Sequence, residues 1–389
     1  MKTGRIAPLD SLRGLAALIV VFHHCLVTFP PFWEVYQHPV QPGFYRLMGN
    51  TPLHLLWDGP EFVLVFFTLS GFVLSLPFWG ERPLSYKQFV IRRILRIYPP
   101  YLAAVTVGML LLTLLSHGPL TGLSDWTTQF WNRPLDWKTI GDHVFLMASA
   151  GNNYIDTPVW SLVVEMHASL IFPLIILALE GSETVTLMAA LALALVGDWA
   201  GMKDPGNHIH PFLMSFATTA RYLWLFVVGA LMARHRQALT QAAARVPVVL
   251  QMIFLAAALV SLNCIWQFGA DETWRFVEQA GAIGLVASAA FMGWFQRLLD
   301  IAPLRWLGKI SYSLYLIHFV VLFTVLYAFR PDVTLLRVLI AVPLLSIGAA
   351  ALLYRFVEVP SIAWGHRASD ARGRRPTPRV AQAIDTPPP

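Results

Sequence analysis

The stretch Ser11-Leu12-Arg13-Gly14-Leu15-Ala16-Ala17-Leu18-Ile19-Val20-Val21-Phe22-His23-His24-Cys25-Leu26-Val27-Thr28-Phe29 is almost wholly apolar, with one arginine near its start and two histidines near its end. About 20 apolar residues are what an α-helix needs to cross a hydrocarbon core roughly 30 Å thick. Pro30-Pro31 closes the run and no small-residue cleavage pattern follows, so it is expected to remain as an uncleaved anchor. Similar runs recur at about 60–79, 97–115, 159–179, 184–199, 211–233, 247–266, 277–295, 308–329 and 335–357, the fifth being the shortest. Only 13% of the 389 residues are charged, about half the share in soluble domains. The sequence therefore predicts an all-α integral membrane protein of ten transmembrane helices. Residues 1–365 form the membrane domain, and 366–389 form an Arg/Pro-rich tail unable to bury a core.

Loop charges orient this topology, because short cytoplasmic loops collect Lys and Arg. With the N-terminus inside, most of the 28 basic residues lie in inner segments, from Lys2 and Arg5 through Arg82, Arg92, Arg93 and Arg96 to Arg355 and the tail. Arg46, Arg133, Lys138, Lys203, Arg275, Arg330 and Arg337 lie outside, and Arg221 alone falls within a span. Both termini are thus expected in the cytoplasm. Trp33, Trp57, Trp79, Trp160 and Trp266 stand near span ends, as interfacial aromatics do. Spreading the basic residues over inner loops argues against a nucleic-acid-binding face, and Cys25 and Cys264 are too few for a disulfide framework.

Two outer segments, about 30–59 and 116–158, are rich in aromatics such as Trp33, Tyr36, Trp57, Trp126 and Trp137. Such rings stack on sugars or anchor loops that dip into the interface.

Ionisable groups in hydrocarbon need a partner, an aqueous cavity or a task. Arg13 and His24, eleven residues apart, return to one helix face about 16 Å apart, whereas His23 points elsewhere. Counting from the span ends places His24 and Glu165 at nearly one depth, with Arg221 and His318 close to it, and His318 shares a face with Ser311 and Tyr315. A carboxylate beside an imidazole suits general acid/base chemistry. The same groups suit an ion or proton site in a secondary transporter or flippase, or plain interhelical hydrogen bonds, which is also the simple reading of His23 and His167. At the inner surface Arg92, Arg93 and Arg96 make a cationic turn whose guanidinium forks fit phosphate oxygens, with positive-inside anchoring as the simpler alternative. Ser70-Gly71 forms a small-residue notch. No metal-spaced His/Cys set, Walker loop or serine-hydrolase elbow occurs.

Five motifs in order, Leu9-Asp10-Ser11-Leu12-Arg13-Gly14 running to His24, Phe66-Phe67-Thr68-Leu69-Ser70-Gly71-Phe72, Arg92-Arg93-Ile94-Leu95-Arg96-Ile97-Tyr98-Pro99, Trp160-Ser161-Leu162-Val163-Val164-Glu165 and Gly308-Lys309-Ile310-Ser311-Tyr312-Ser313-Leu314-Tyr315-Leu316-Ile317-His318, together resemble bacterial membrane acyltransferases of the acyltransferase-3 type. The resemblance implies ten core spans in the bacterial inner membrane. It also implies transfer of an acyl group, commonly acetyl, from cytoplasmic acyl-CoA to a hydroxyl of a glycan or lipid-linked saccharide outside. By it, His24 corresponds to the essential histidine at its fixed distance from Arg13, the Arg93 and Arg96 pair to the motif of acyl-CoA handling, and Glu165 to the acid of the Trp-Ser motif. The residues themselves add Arg13 and Arg92 to the expected acyl-CoA-binding group, with Ser70, Trp160, Ser161, Ser311, Tyr315, His318 and Arg221 in support and no metal expected. Where many relatives carry aromatics after that acid, this chain has Met166, His167 and Ala168. Some relatives append a soluble hydrolase-like domain, which the residues beyond the tenth span are too few to encode. The transmembrane unit is then expected either to finish the reaction itself or to hand on to a separate partner such as a polysaccharide biosynthesis or export complex. The expected mechanism has acyl-CoA phosphates on Arg13, Arg93 and Arg96 and its arm along the stripe to His24, with Glu165 orienting that imidazole.

Overall fold

Ile6, in extended conformation, precedes a 21-residue helix, Ala7–Val27 (α1), with proline in its first turn, where a missing N–H costs nothing. The computed structural model describes residues 6–37, 43–80, 83–116, 118, 120–145, 154–202, 211–263 and 272–371. Cys264, Trp266, Lys2, Arg5, Arg82, Lys203 and the charges beyond residue 371 lie outside the described residues, as does most of the tail.

Nine more apolar helices follow: Gly59–Ser75 (α2), Tyr86–Leu115 (α3), Val159–Gly181 (α4), Glu183–Met202 (α5), Pro211–Arg234 (α6), Val248–Leu262 (α7), Glu272–Phe291 (α8), Ala302–Ala328 (α9) and Leu335–Leu353 (α10). Among the described residues there is no strand. Seven helices are long and apolar enough to cross a membrane, and two bent pairs raise that to nine if each is one span. The pairs are Arg236–Arg245 with α7, bent by 118°, and α8 with Gly293–Leu299, bent by 90°. α2, at 17 residues, is shorter. Each of the ten expected runs is thus helical, while length and composition support seven to nine crossings.

α1, α2 and α9 form the centre. α1 lies along α9 and α2, α2 packs on α6 and α8, and α3 leans on α9. The contacts are close because glycines meet backbone. A Cβ at Gly14 would stand 2.6 Å from the Gly308 nitrogen, and Gly308 faces the Asp10 carbonyl in turn. Gly71 and Gly229 do the same for α2 and α6, facing the backbone at Phe226 and Thr68. This is the small-residue packing of membrane helices, where close backbone approach replaces a hydrophobic driving force. By contrast α7 exposes Val248, Val249, Leu250, Met252, Ile253 and Phe254, an apolar face suited to lipid.

α3 begins eleven residues before the expected 97. Ser85 and Gln88 form a reciprocal capping box that offsets the missing early hydrogen bonds, so Arg92, Arg93 and Arg96 sit on a helix face rather than in a loop. Pro99 and Pro100 lie inside that helix, and the Tyr312 hydroxyl donates to the Ile97 carbonyl at 2.8 Å. At the other end of the chain a helix, Val359–Ala371 (α11), packs on α3. Residues 366–371, expected in the tail, are therefore ordered as helix, because Ser369 and Asp370 bind Arg92.

Candidate functional site

His318, wholly buried in α9, has Nδ1 2.8 Å from the Tyr315 carbonyl and 3.1 Å from that of Leu314. Carbonyls only accept, so Nδ1 carries the proton and, in the neutral ring, Nε2 is an acceptor. His24 Nδ1 lies 2.9 Å from that Nε2 and is therefore the donor. The chain of bonds fixes the His24 tautomer and leaves its Nε2 lone pair available as a base. The half-buried His24 ring is sandwiched: Trp126 lies parallel to it at 5.4 Å, His318 is nearly parallel at 5.1 Å, and Phe319 meets it edge-on at 5.6 Å.

One turn toward the N-terminus of α9 from His318, Tyr315 bonds Ser161 at 2.7 Å and meets Phe66 edge-on at 5.4 Å. Ser161 also donates to the Pro158 carbonyl at 3.0 Å. Beyond Pro60, only Phe66, Ser70 and Val73 of α2 are half-buried and the rest of the helix is covered by its neighbours, and this stripe leads from Tyr315 toward the C-terminal end of α2. Trp160 flanks it, with its ring 6.1 Å from Phe67 and 5.9 Å from Tyr222. Ser311 turns its hydroxyl back to the Gly308 carbonyl at 2.9 Å, which makes it a packing residue of the α1/α9 crossing.

The expected pairing of His24 with Glu165 is not found. Glu165 accepts from Arg93 Nη2 at 2.7 Å, and Arg93 Nε donates to Ser169 at 3.2 Å. Depth counted from assumed span ends fails because the helices do not start level. Tyr315 is one turn from His318 toward the start of α9, Ser161 meets it, and Glu165 is a further turn along α4 in the same direction, so the carboxylate lies about 10 Å from the histidine pair. There it joins a cationic group: Arg93, Arg96 and Glu165 all act electrostatically on Arg13, which also contacts Asp10 at 3.4 Å. Arg92 stands apart. Its Nη2 is 2.8 Å from Asp370 and its Nε 2.9 Å from Ser369, so α11 holds it away from Arg93.

Arg221 is also placed elsewhere: it pairs with Asp198 of α5, a carboxylate that Arg275 approaches to 3.8 Å. Glu165, Arg221 and His318 therefore belong to three separate polar groups rather than one cluster. His23 donates from Nδ1 to the Trp57 carbonyl at 3.0 Å, and His167 from Nδ1 to Thr219 at 2.9 Å. Both are interhelical or loop fastenings.

Sequence reading missed Asp198 and Asp156, and it missed the partner of Trp126. Asp198, in Gly197-Asp198-Trp199, was visible as a lone carboxylate in an apolar run. Trp126 gave no sign of which ring it would meet. Asp156, in the segment ahead of α4, is wholly buried with no partner for either carboxylate oxygen among the described residues, and burial pushes its pKa well above the usual carboxylate range. No group of His, Cys, Asp and Glu among the described residues is arranged to hold a metal ion.

A family model described as an acyltransferase domain, of the acyltransferase-3 type, matches residues 6–355. The chain belongs to the acyltransferase-3 family. Among relatives, the O-acetyltransferase PaAT-1 of Phomopsis amygdali is 25% identical over 430 residues, covering 91% of this chain and 82% of its own. The peptidoglycan O-acetyltransferase OatA of Listeria monocytogenes is 23% identical, covering 91% of this chain and 55% of its own. The acyltransferase MdmB of Streptomyces mycarofaciens is 27% identical, covering 82% and 79%. This acyltransferase-3 chain thus spans about half the length of the peptidoglycan O-acetyltransferase it matches. No solved structure matches it.

Proposed function

We propose that this protein is a membrane O-acyltransferase that takes an acyl group, acetyl in the simplest case, from cytoplasmic acyl-CoA and transfers it to a hydroxyl of a glycan or lipid-linked saccharide on the outer side. The observation that carries the reading is the separation on α1: Arg13, beside Arg93 and Arg96, at one end, and His24 with an available Nε2 about 16 Å along the same stripe. Ten crossings, both termini in the cytoplasm, a membrane domain over 1–365 and residence in the bacterial inner membrane complete it. Names of the relatives support the acetyl group and the saccharide acceptor.

In this mechanism Arg13, Arg93 and Arg96 hold the phosphates of acyl-CoA, whose guanidinium-phosphate pairs are charge-assisted and bidentate. Glu165 and Ser169 fix the Arg93 fork. The pantetheine arm follows the Phe66, Ser70 and Tyr315 stripe, which brings the thioester to His24. Nε2 of His24 then removes the acceptor hydroxyl proton as the new C–O bond forms and the C–S bond breaks, and returns that proton to the departing sulfur. Acyl transfer through Nε2 itself would use the same geometry, and mass spectrometry of quenched enzyme distinguishes the two by presence or absence of acyl on the His24 peptide.

The test is acetyl release from labelled acetyl-CoA by purified protein in vesicles, for wild type, His24→Ala and Arg93→Ala. Turnover by wild type, lost in both variants with the fold intact, supports the reading. Identical behaviour of all three, without acetyl-CoA binding, rejects it.

A further inference from the structure

The aromatic outer segments fold back onto the outer end of α1. Trp126 lies parallel to His24 with an interplanar angle of 8°. Trp33 is 6.5 Å from Trp126 and stacked on Tyr36 at 5.5 Å, and Tyr36 meets His23 edge-on at 5.4 Å. A ring that only anchors a loop in lipid faces outward, as Trp137 does at 88% exposed. Trp126 instead stacks on His24, Tyr36 meets the neighbouring His23 and Trp33 joins the two, and all three are half-buried, so part of each side chain stays exposed.

These rings are held in place. Ser124 donates from its backbone to the Thr28 carbonyl at 2.9 Å and from Oγ to the Val27 carbonyl at 2.6 Å, and Thr127 Oγ1 donates to the Thr28 carbonyl at 3.3 Å. The bonds satisfy carbonyls that the end of α1 leaves open and fix Trp126 over the imidazole. Phe32 and Val35, both buried with Trp57, seat the short helix Pro30–Gln37 that carries Trp33 and Tyr36. The charges nearby are acidic: Glu61, Asp58 and Glu278 are the groups acting most strongly on Tyr36. The arginines proposed for the donor lie at the opposite end of α1.

We infer that Trp33, Tyr36 and Trp126 form the acceptor subsite, stacking an uncharged pyranose ring so that one of its hydroxyls is presented to Nε2 of His24. Aromatic faces carry negative charge density that pairs with polarised C–H groups, such as those on the apolar face of a sugar, and rigid rings of this kind recognise a ligand at low entropic cost. No cation among the described residues is one of the groups acting on Tyr36, so none of them pairs there with a phosphate or uronate, whose recognition calls for cationic side chains. The hydroxyl proton passes to His24, the C–O bond forms as the thioester C–S bond breaks, and the thiol leaves toward the arginines. The inference rests on the O-acyltransferase reading.

Binding without any acyl donor tests it separately. Full-length protein in nanodiscs is titrated with triacetylchitotriose and cellotriose as neutral probes and trigalacturonate as the anionic one, by saturation-transfer NMR. The expected result is that at least one neutral probe binds wild type and Trp137→Ala equally, binds Trp33→Ala and Trp126→Ala at least tenfold more weakly, and that trigalacturonate does not bind. Trp33→Phe and Trp126→Phe, which keep a ring, stay within about threefold of wild type, and acetyl-CoA affinity is unchanged throughout. Failure of both neutral probes to bind wild type, equal binding by trigalacturonate, or unaltered binding by the alanine variants overturns the subsite. Saccharide binding with this pattern but no acetyl transfer overturns the O-acyltransferase reading instead.

Discussion

His24 Nδ1 and His318 Nε2 are 2.9 Å apart, and the carbonyls of Leu314 and Tyr315 decide which of them carries the proton. In the proposed mechanism His318 positions His24, taking the role that a carboxylate has in many acid/base pairs. His24→Ala is expected to reduce turnover by about 10³-fold or more, within the range of a lost general base or nucleophile. His318→Ala should lower kcat by about 10–100-fold, as removal of an orienting partner does, with acetyl-CoA Kd unchanged. Steady-state acetyl transfer beside equilibrium acetyl-CoA binding checks both, and a fall in affinity in His318→Ala would contradict the assignment.

Glu165 bonds Arg93 and lies about 10 Å from the histidine pair. Its influence should therefore reach donor binding rather than the base. Arg93→Ala is expected to raise the acetyl-CoA Kd about tenfold or more, the loss of a charge-assisted contact. In a double-mutant cycle on Kd, Arg93→Ala and Glu165→Ala should be coupled. Glu165→Ala and His318→Ala should instead be additive in kcat to within about 0.5 kcal/mol. Strong coupling between Glu165 and His318 would restore the pairing read from sequence.

The apolar runs, the charge asymmetry and the residue types of the site were legible because they are set by composition and helical period. His24, Arg13, Arg93 and Arg96 could be picked out in that way. Partner choice was not legible, since it depends on how far one helix slides along another. Glu165 and His24 agree in depth only if all spans start level, whereas His24 meets His318 across the α1/α9 crossing and Glu165 meets Arg93 of α3. The aromatic loops were visible as composition, but the bonds from Ser124 and Thr127 that turn Trp126 onto His24 join positions about a hundred residues apart.

Close backbone packing depends on Gly14 and Gly308 where α1 crosses α9 and on Gly71 and Gly229 where α2 crosses α6. A methyl at Gly14 or Gly71 meets backbone atoms, which cannot rotate away. Gly14→Ala and Gly71→Ala should each destabilise the protein by about 1–3 kcal/mol, as overpacking does. Gly348→Ala places its methyl with nothing within 4 Å and should be neutral or stabilising by up to about 1 kcal/mol. Thermal melting of the three variants in one detergent provides the comparison. Equal midpoints for Gly14→Ala and Gly348→Ala would show that the α1/α9 contact is looser than described.

His54, in the outer turn Pro52–Leu56, is wholly buried, with Nδ1 2.8 Å from Asn263 Oδ1 and 3.7 Å from Asp58. Burial lowers its pKa to about 3, a shift that the bond to Asn263 only partly opposes. In the unfolded chain the same imidazole titrates near 6.5. Between about pH 6.5 and 3 the unfolded state therefore binds the extra proton, and stability falls as pH falls. The contribution is complete above about pH 6.5, and each unit below that removes up to about 1.4 kcal/mol. His54→Gln keeps a donor for Asn263 and cannot titrate, so its melting midpoint should decline less steeply than that of wild type from pH 7 to 5. The other histidines are common to both proteins, which makes the difference between the two curves specific to His54. Parallel curves over that range would mean that His54 is protonated in the folded state and paired with Asp58 instead.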